Sequence, residues 1–244
     1  MASNEGFQFR QFYVRHDRCA MKVGTDGVLL GAWCGRGFIG VKSGLNRGQI
    51  ERLLDIGTGS GLVALMLAQR FPEAKIEAID IDPAAVEQAR ENFEHSAFSH
   101  QLSASETSLQ DWNGGPYDLI VSNPPYFRNS LKNPDEGRKT ARHTDTLSFE
   151  ELITHSVRLL TENGRIALIL PAETEKEILD LASSHNLHLT HITRVFSKET
   201  KPARRILLCF AKEPGCLTED SLVLENEIGG RSAAYQELCK DFYL

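Results

Sequence analysis

The stretch LLDIGTGSGLVAL (53–65) decides the fold. Apolar residues around Asp55 read as a strand, GTGSG as a tight turn, and LVAL as the start of a helix. Gly57, Gly59 and Gly61 let the backbone turn sharply and approach a ligand where a Cβ would intrude. The spacing is G-x-G-x-G, and Leu62 stands where a dinucleotide fold would want a further glycine. Asp55, just before the turn, repels a diphosphate and suits a cationic amine.

Downstream, Asp80 ends the second strand, KIEAIDI, where an acid accepts hydrogen bonds from ribose hydroxyls. Asp82 has a structural reading instead, as a helix N-cap with Pro83 at the first helical position. These features favour an adenosine-containing ligand that carries a positive group and no diphosphate. S-adenosylmethionine (SAM) fits that description better than a nicotinamide or flavin nucleotide, and a plain structural turn is the remaining alternative.

Working outward from the glycine turn, short apolar runs alternate with helical patterns from residue 51 onward. The expected strands are RLLDIG, KIEAIDI, QLSASETSL, YDLIVSN, GRIALILP, LHLTHITRVF and RRILLCFAK. Runs such as LIVS and IALIL are apolar throughout, as parallel strands covered on both faces must be. The pattern predicts an α/β fold with a doubly wound, seven-stranded, mostly parallel sheet. Its last two strands follow each other without a helix and pair as an antiparallel hairpin. Residues 1–50 break the alternation. GTDGVLLGAW (24–33) reads as a turn and a short helix, and GRGFIGVKSGLNRGQ (35–49) as loop. They form an N-terminal extension packed on the 51–244 domain.

The 244 residues carry a formal net charge of −6, which argues against a protein that coats nucleic acid by bulk electrostatics. Basic character is confined to segments 1–22, 128–142 and 194–205, which hold 14 Lys/Arg against 5 Asp/Glu. No apolar run approaches the roughly 20 residues of a membrane span, and the N-terminus lacks the layout of a signal peptide. A cytoplasmic location is the expectation. Five scattered cysteines without a C-x-x-C pair suggest neither a disulfide framework nor a zinc site. His185, His188 and His191 recur every third residue, but on a strand such residues face opposite sides, so no metal site is expected.

The stretch DLIVSNPPYF (118–127) ends the fourth strand on two prolines. In a doubly wound sheet this strand neighbours the first at the point where strand order reverses, and ligands bind outside those carboxyl ends. Asn123 therefore emerges beside the glycine loop, on a turn that the prolines make rigid. An aromatic exocyclic amine is a poor nucleophile because its lone pair is delocalised. If the Asn123 side-chain oxygen and the Pro124 carbonyl each accept one N–H, the nitrogen is drawn toward tetrahedral geometry and its lone pair can face a sulfonium methyl. Tyr126 would stack on the base.

DIGTGSG, AIDID and SNPPY together resemble the motifs of class I, Rossmann-like, SAM-dependent amino-methyltransferases acting on adenine N6, glutamine amides or guanine N2. The N-terminal FRQFYVRHDRCAMKVGTDGVLLGAW (9–33), with SNPPYF and the ending ELCKDFYL, is similar to the bacterial tRNA1(Val) adenine-37 N6-methyltransferase family. By that resemblance the substrate is an adenine in a tRNA anticodon loop. Lys22, Thr25 and Asp26 would lie over the methionine moiety of SAM, Asp55 and Gly57 beneath it. Asp80 would hold the ribose, Asn123, Pro124 and Tyr126 would hold the target base, and Gly59, Gly61 and Asn123 would also border the cofactor. The adenine ring of SAM would meet Ser108, with Asp111 the alternative. Glutamine methyltransferases share the tetrapeptide but usually carry a helical recruitment domain, and guanine N2 enzymes often a second methyltransferase-like domain. Two polar, basic segments are candidate RNA contacts: 127–142 as a lid, with His143 behind it, and 194–205 through Lys201, Arg204 and Arg205.

Overall fold

The computed structural model describes residues 5–19, 22–34, 50–125 and 147–244. The loop expected over 35–49, the candidate lid, Tyr126 and His143 lie outside the described residues. The chain begins with a small antiparallel hairpin, β1 (Gly6–Gln8) and β2 (Tyr13–Arg15), and the helix α1 (Thr25–Trp33). Then come β3 (Arg52–Ile56), α2 (Leu62–Arg70), β4 (Lys75–Asp80), α3 (Pro83–Glu94), β5 (Leu102–Glu106) and β6 (Tyr117–Ser122). They are followed by α4 (Phe149–Leu159), β7 (Leu160–Pro171), α5 (Glu175–Ser184), β8 (His188–Phe196), β9 (Ala203–Ala211), β10 (Thr218–Val223) and α6 (Ala233–Cys239).

The main sheet has eight strands in the order β10-β8-β9-β7-β6-β3-β4-β5, one more than the pattern predicts. The seven expected strands are all present, and β8 and β9 pair antiparallel as expected. The added strand, β10, lies parallel to β8 at the sheet edge and buries Leu222 while its first four residues stay exposed. Its sequence, TEDSLV, therefore shows no apolar run from which a strand could be read. From β3 the chain proceeds to β4 and β5 on one side and then crosses to β6 and β7 on the other, so the carboxyl ends of β3 and β6 form the switch point.

Each face of the sheet is covered. Leu119 and Val121 of β6 join one core with α1 and α2, while Ile120 joins the other with Leu152 and Ile153 of α4 and Ile178 of α5. This period-2 division explains why the central strands are apolar at every position. Phe9, Phe12 and Val14 belong to the same core as α2, and the Arg10 N–H donates to the Phe242 carbonyl at 2.9 Å, joining the two ends of the chain. Local signals set the helix starts: Asp82 accepts from the Ala84 N–H at 2.9 Å with Pro83 next, and Ser148 with Glu151 forms a capping box.

Candidate functional site

The glycine loop is moored to the second parallel strand. The N–H groups of Gly57 and Thr58 both donate to the Ile79 carbonyl, at 2.9 and 3.1 Å. Asp80 fixes the next residue: one oxygen accepts from the Gly59 N–H at 2.9 Å and the other from the Asp82 N–H at 3.0 Å. Two backbone donors thus set the orientation of that carboxylate. Across the switch point, the Ser122 hydroxyl donates to the Ile56 carbonyl at 2.9 Å and joins the ends of β6 and β3.

Two adjoining cavities open at these strand ends and share Gly57 and Gly59. The larger, about 1050 Å³, is bounded by Asp80, Ile81, Ser108, Asp111 and Pro124, among others. The smaller, about 350 Å³, brings Lys22, Thr25 and Asp26 over Asp55 and Asn123. The structure therefore collects the described sequence-predicted residues in two neighbouring hollows, with one departure. Gly61 lines neither cavity; a Cβ there would come within 2.5 Å of the Phe93 ring. Its lack of a side chain serves the packing of the loop on α3, combined with a φ of +80°. Gly57 and Gly59 differ: at φ values of +69° and +55°, their added Cβ atoms would meet nothing within 4 Å. They present bare backbone to open space.

Asp55 is 1% exposed and accepts from the Thr58 hydroxyl at 2.7 Å. Burial pushes its carboxyl up to about 7, opposed by the Thr58 hydroxyl and the Ala64 N–H, while the Asp80 charge adds to the rise. Asp26 is engaged as well as placed: the Arg205 Nε donates to its carboxylate at 2.8 Å, bridging α1 and β9. Ser108 and Asp111 stand on one wall, the Ser108 hydroxyl donating to the Asp111 carboxylate at 2.7 Å.

Three features of the site escaped sequence reasoning. Ile81, 53% exposed between two acids, lays an apolar surface along the larger cavity. The sequence carries it only as an isoleucine between two acids in IDID, which does not show its exposure. Cys19 lines the same cavity, its thiol pushed up to about 11 by burial and then by Asp80, Asp82 and Asp17. Ser148, Glu150 and Glu151, at the start of α4, close its far side. The histidines do not meet: His185 contacts Thr154 at 2.9 Å, His188 is exposed, and His191 is buried with its Nε2 3.1 Å from Asp220.

Among the described residues no Lys or Arg lines the larger cavity, whereas Asp80, Asp82, Asp111, Glu150 and Glu151 do. A diphosphate would be repelled there; an uncharged nucleoside joined to a cationic sulfur and ammonium is not. The bare loop glycines, the backbone-held Asp80 and the acid-bounded hollows fit SAM. Fold and site together define a class I SAM-dependent methyltransferase.

Comparison with known proteins agrees. Residues 41–190 match the family model described as methyltransferase small domain. The fold is similar to that of a predicted O-methyltransferase from Agrobacterium tumefaciens, with a TM-score of 0.65 and 17% identity, covering 88% of this chain and 95% of that one. It is also similar to TYW2 of Pyrococcus horikoshii, solved in complex with MeSAdo, with a TM-score of 0.59 and 14% identity over 87% and 74% of the two chains. Among curated proteins, the chain is 43% identical over 245 residues to a tRNA1(Val) (adenine(37)-N6)-methyltransferase of Aeromonas salmonicida (100% of this chain, 99% of the relative). It is 44% identical over 246 residues to the Parabacteroides distasonis protein of the same name (99% of each). The chain belongs to the tRNA1(Val) (adenine(37)-N6)-methyltransferase family.

Proposed function

We propose that this enzyme transfers a methyl group from SAM to the exocyclic N6 of adenine 37 in the anticodon loop of tRNA1(Val). The observation that carries the reading is the meeting of Asn123 and Pro124 with the glycine loop at the adjoining ends of β6 and β3, held by the Ser122 to Ile56 hydrogen bond. The high identity to tRNA1(Val) enzymes over essentially the whole chain supports the choice of acceptor.

Bound SAM supplies an electrophilic methyl on a positively charged sulfur. The residues of this chain do the rest. Lone pairs of Asp80 left over from Gly59 and Asp82 accept the ribose hydroxyls, Ser108 or Asp111 meets the adenine edge, and Ile81 covers its face. Asp55, with Lys22, Thr25 and Asp26 above it, borders the methionine end. Asn123 and Pro124 each accept one N–H of the target amine, which directs its lone pair at the methyl position. This geometry is worth most in the transition state, as catalysis requires. The same acceptors hold the proton until transfer is complete, so no separate general base is needed. Tyr126 stacks on a base presented out of the loop.

Residues 1–50 act in this scheme as an extension of the 51–244 methyltransferase domain, covering the methionine end. The setting is cytoplasmic, where tRNA is matured; among the described residues no helix is long and apolar enough to cross a membrane. The test is incubation of the purified protein with labelled SAM and undermodified tRNA, duplex DNA or a release factor, followed by nucleoside and peptide analysis. N6-methyladenosine at position 37 in tRNA alone is the expected result. Label in the release factor, or in none of the three, would overturn it.

A further inference from the structure

The topology carries the basic 194–205 segment to the reaction end of the sheet. Ser122 of β6 is in register with Leu168 of β7, and Pro171 of β7 with Arg205 of β9. Because β9 runs antiparallel, its first residues and the turn before it lie where the parallel strands end, the same end from which Asn123 emerges. Two interstrand spacings and three residues of rise set Arg204 roughly 14 Å from Asn123. A short stretch of nucleotide backbone and an extended arginine bridge that separation.

Strand alternation then sorts the cations. Arg205 faces α1 and is held by Asp26 at 2.8 Å, so it belongs to the cofactor side and leaves the set of RNA contacts expected from sequence. Arg194 is clamped between Glu175 and Glu219, and Lys198 lies 3.5 Å from Glu225. Arg204 and Lys201 are exposed and form no ion pair among the described residues. On the opposite side of the site, the larger cavity presents five carboxylates and, among the described residues, no Lys or Arg. A polyanion is pushed from that wall and drawn to the start of β9 and the turn before it.

We propose that Lys201 and Arg204 form a docking edge for the sugar-phosphate backbone beside the target nucleotide, while the acidic wall of the cofactor cavity keeps phosphates outside. This deepens, and rests on, the reading of an RNA adenine as acceptor. Charge reversal tests it. Lys201→Glu combined with Arg204→Glu should raise KM for undermodified tRNA by at least about tenfold and lower the dependence of log KM on log salt by roughly one unit per lost phosphate contact. SAM affinity and kcat at saturating tRNA should stay at the wild-type level. Lys240→Glu just past α6, whose ammonium pairs with Glu237 at 2.7 Å, is a charge reversal away from this segment, half the charge change of the double variant, and should behave as wild type. A KM and salt slope in the double variant no different from the Lys240 control would overturn the docking edge, while tRNA methylation by the wild type would leave the function standing. Failure of the wild type to methylate any tRNA would overturn the acceptor reading and the edge with it.

Discussion

The Ser122 hydroxyl donates to the Ile56 carbonyl at 2.9 Å, and both residues are the last of their strands. One buried bond thereby sets the spacing between the glycine loop and Asn123, the residue that follows β6. Removing it leaves a buried carbonyl without its donor, at about 1–3 kcal/mol. Ser122→Ala should lose that much stability in chemical denaturation and, more tellingly, several-fold in kcat with KM for SAM unchanged. Loss of SAM affinity with kcat preserved would contradict the positioning role.

Asn123→Ala should lower kcat by on the order of 100-fold, the usual scale for losing one hydrogen-bonding partner of a transition state. Calorimetric SAM affinity should stay nearly intact, because that side chain is assigned to the acceptor amine. A variant that loses SAM yet turns over normally at saturation would reassign Asn123 to the cofactor.

Asp80→Ala should act in the opposite sense. Hydrogen bonds to a charged group contribute about 1.5–3 kcal/mol, so SAM affinity should fall by one to two orders of magnitude. The Gly59 and Asp82 N–H groups also lose their acceptor. Titration calorimetry checks the first effect. If affinity is unchanged while kcat falls, Asp80 is not the ribose acceptor.

Asp55 links stability to pH. Its carboxyl is raised in the folded state to about 7 from 3.8. The folded protein thus holds a proton that the unfolded chain releases, and stability from this group is complete below about pH 4 and declines as pH rises toward 7. Without ligand, the Tm of the wild type should fall relative to that of Asp55→Asn across this interval and run parallel to it above. Parallel curves throughout would show that the carboxyl is ionised in the folded state. The Thr58 hydroxyl, Ala64 N–H and Asp80 charge that face Asp55 are common to both proteins.

The linear pattern of residues determined much of this enzyme. Apolar runs of strand length, glycine spacing, Asp82 with Pro83, and SNPPY are local signals, and local backbone chemistry carries them unaided. They were enough to read the parallel sheet and the switch point, and to place Asp55, Asp80 and Asn123 beside it. Tertiary structure decided the rest, because it depends on partners remote in sequence. The edge strand β10 is held by its pairing with β8 and has no apolar pattern of its own. Gly61 faces Phe93 of α3 although it sits in the same run as two glycines that face the cavity. Arg205 and Arg204 are adjacent cations of equal charge, and strand alternation alone gives one to Asp26, 179 residues away, and leaves the other at the surface. Such choices are made by which faces the folded sheet turns toward its helices, and no periodicity in the chain encodes the partner waiting there.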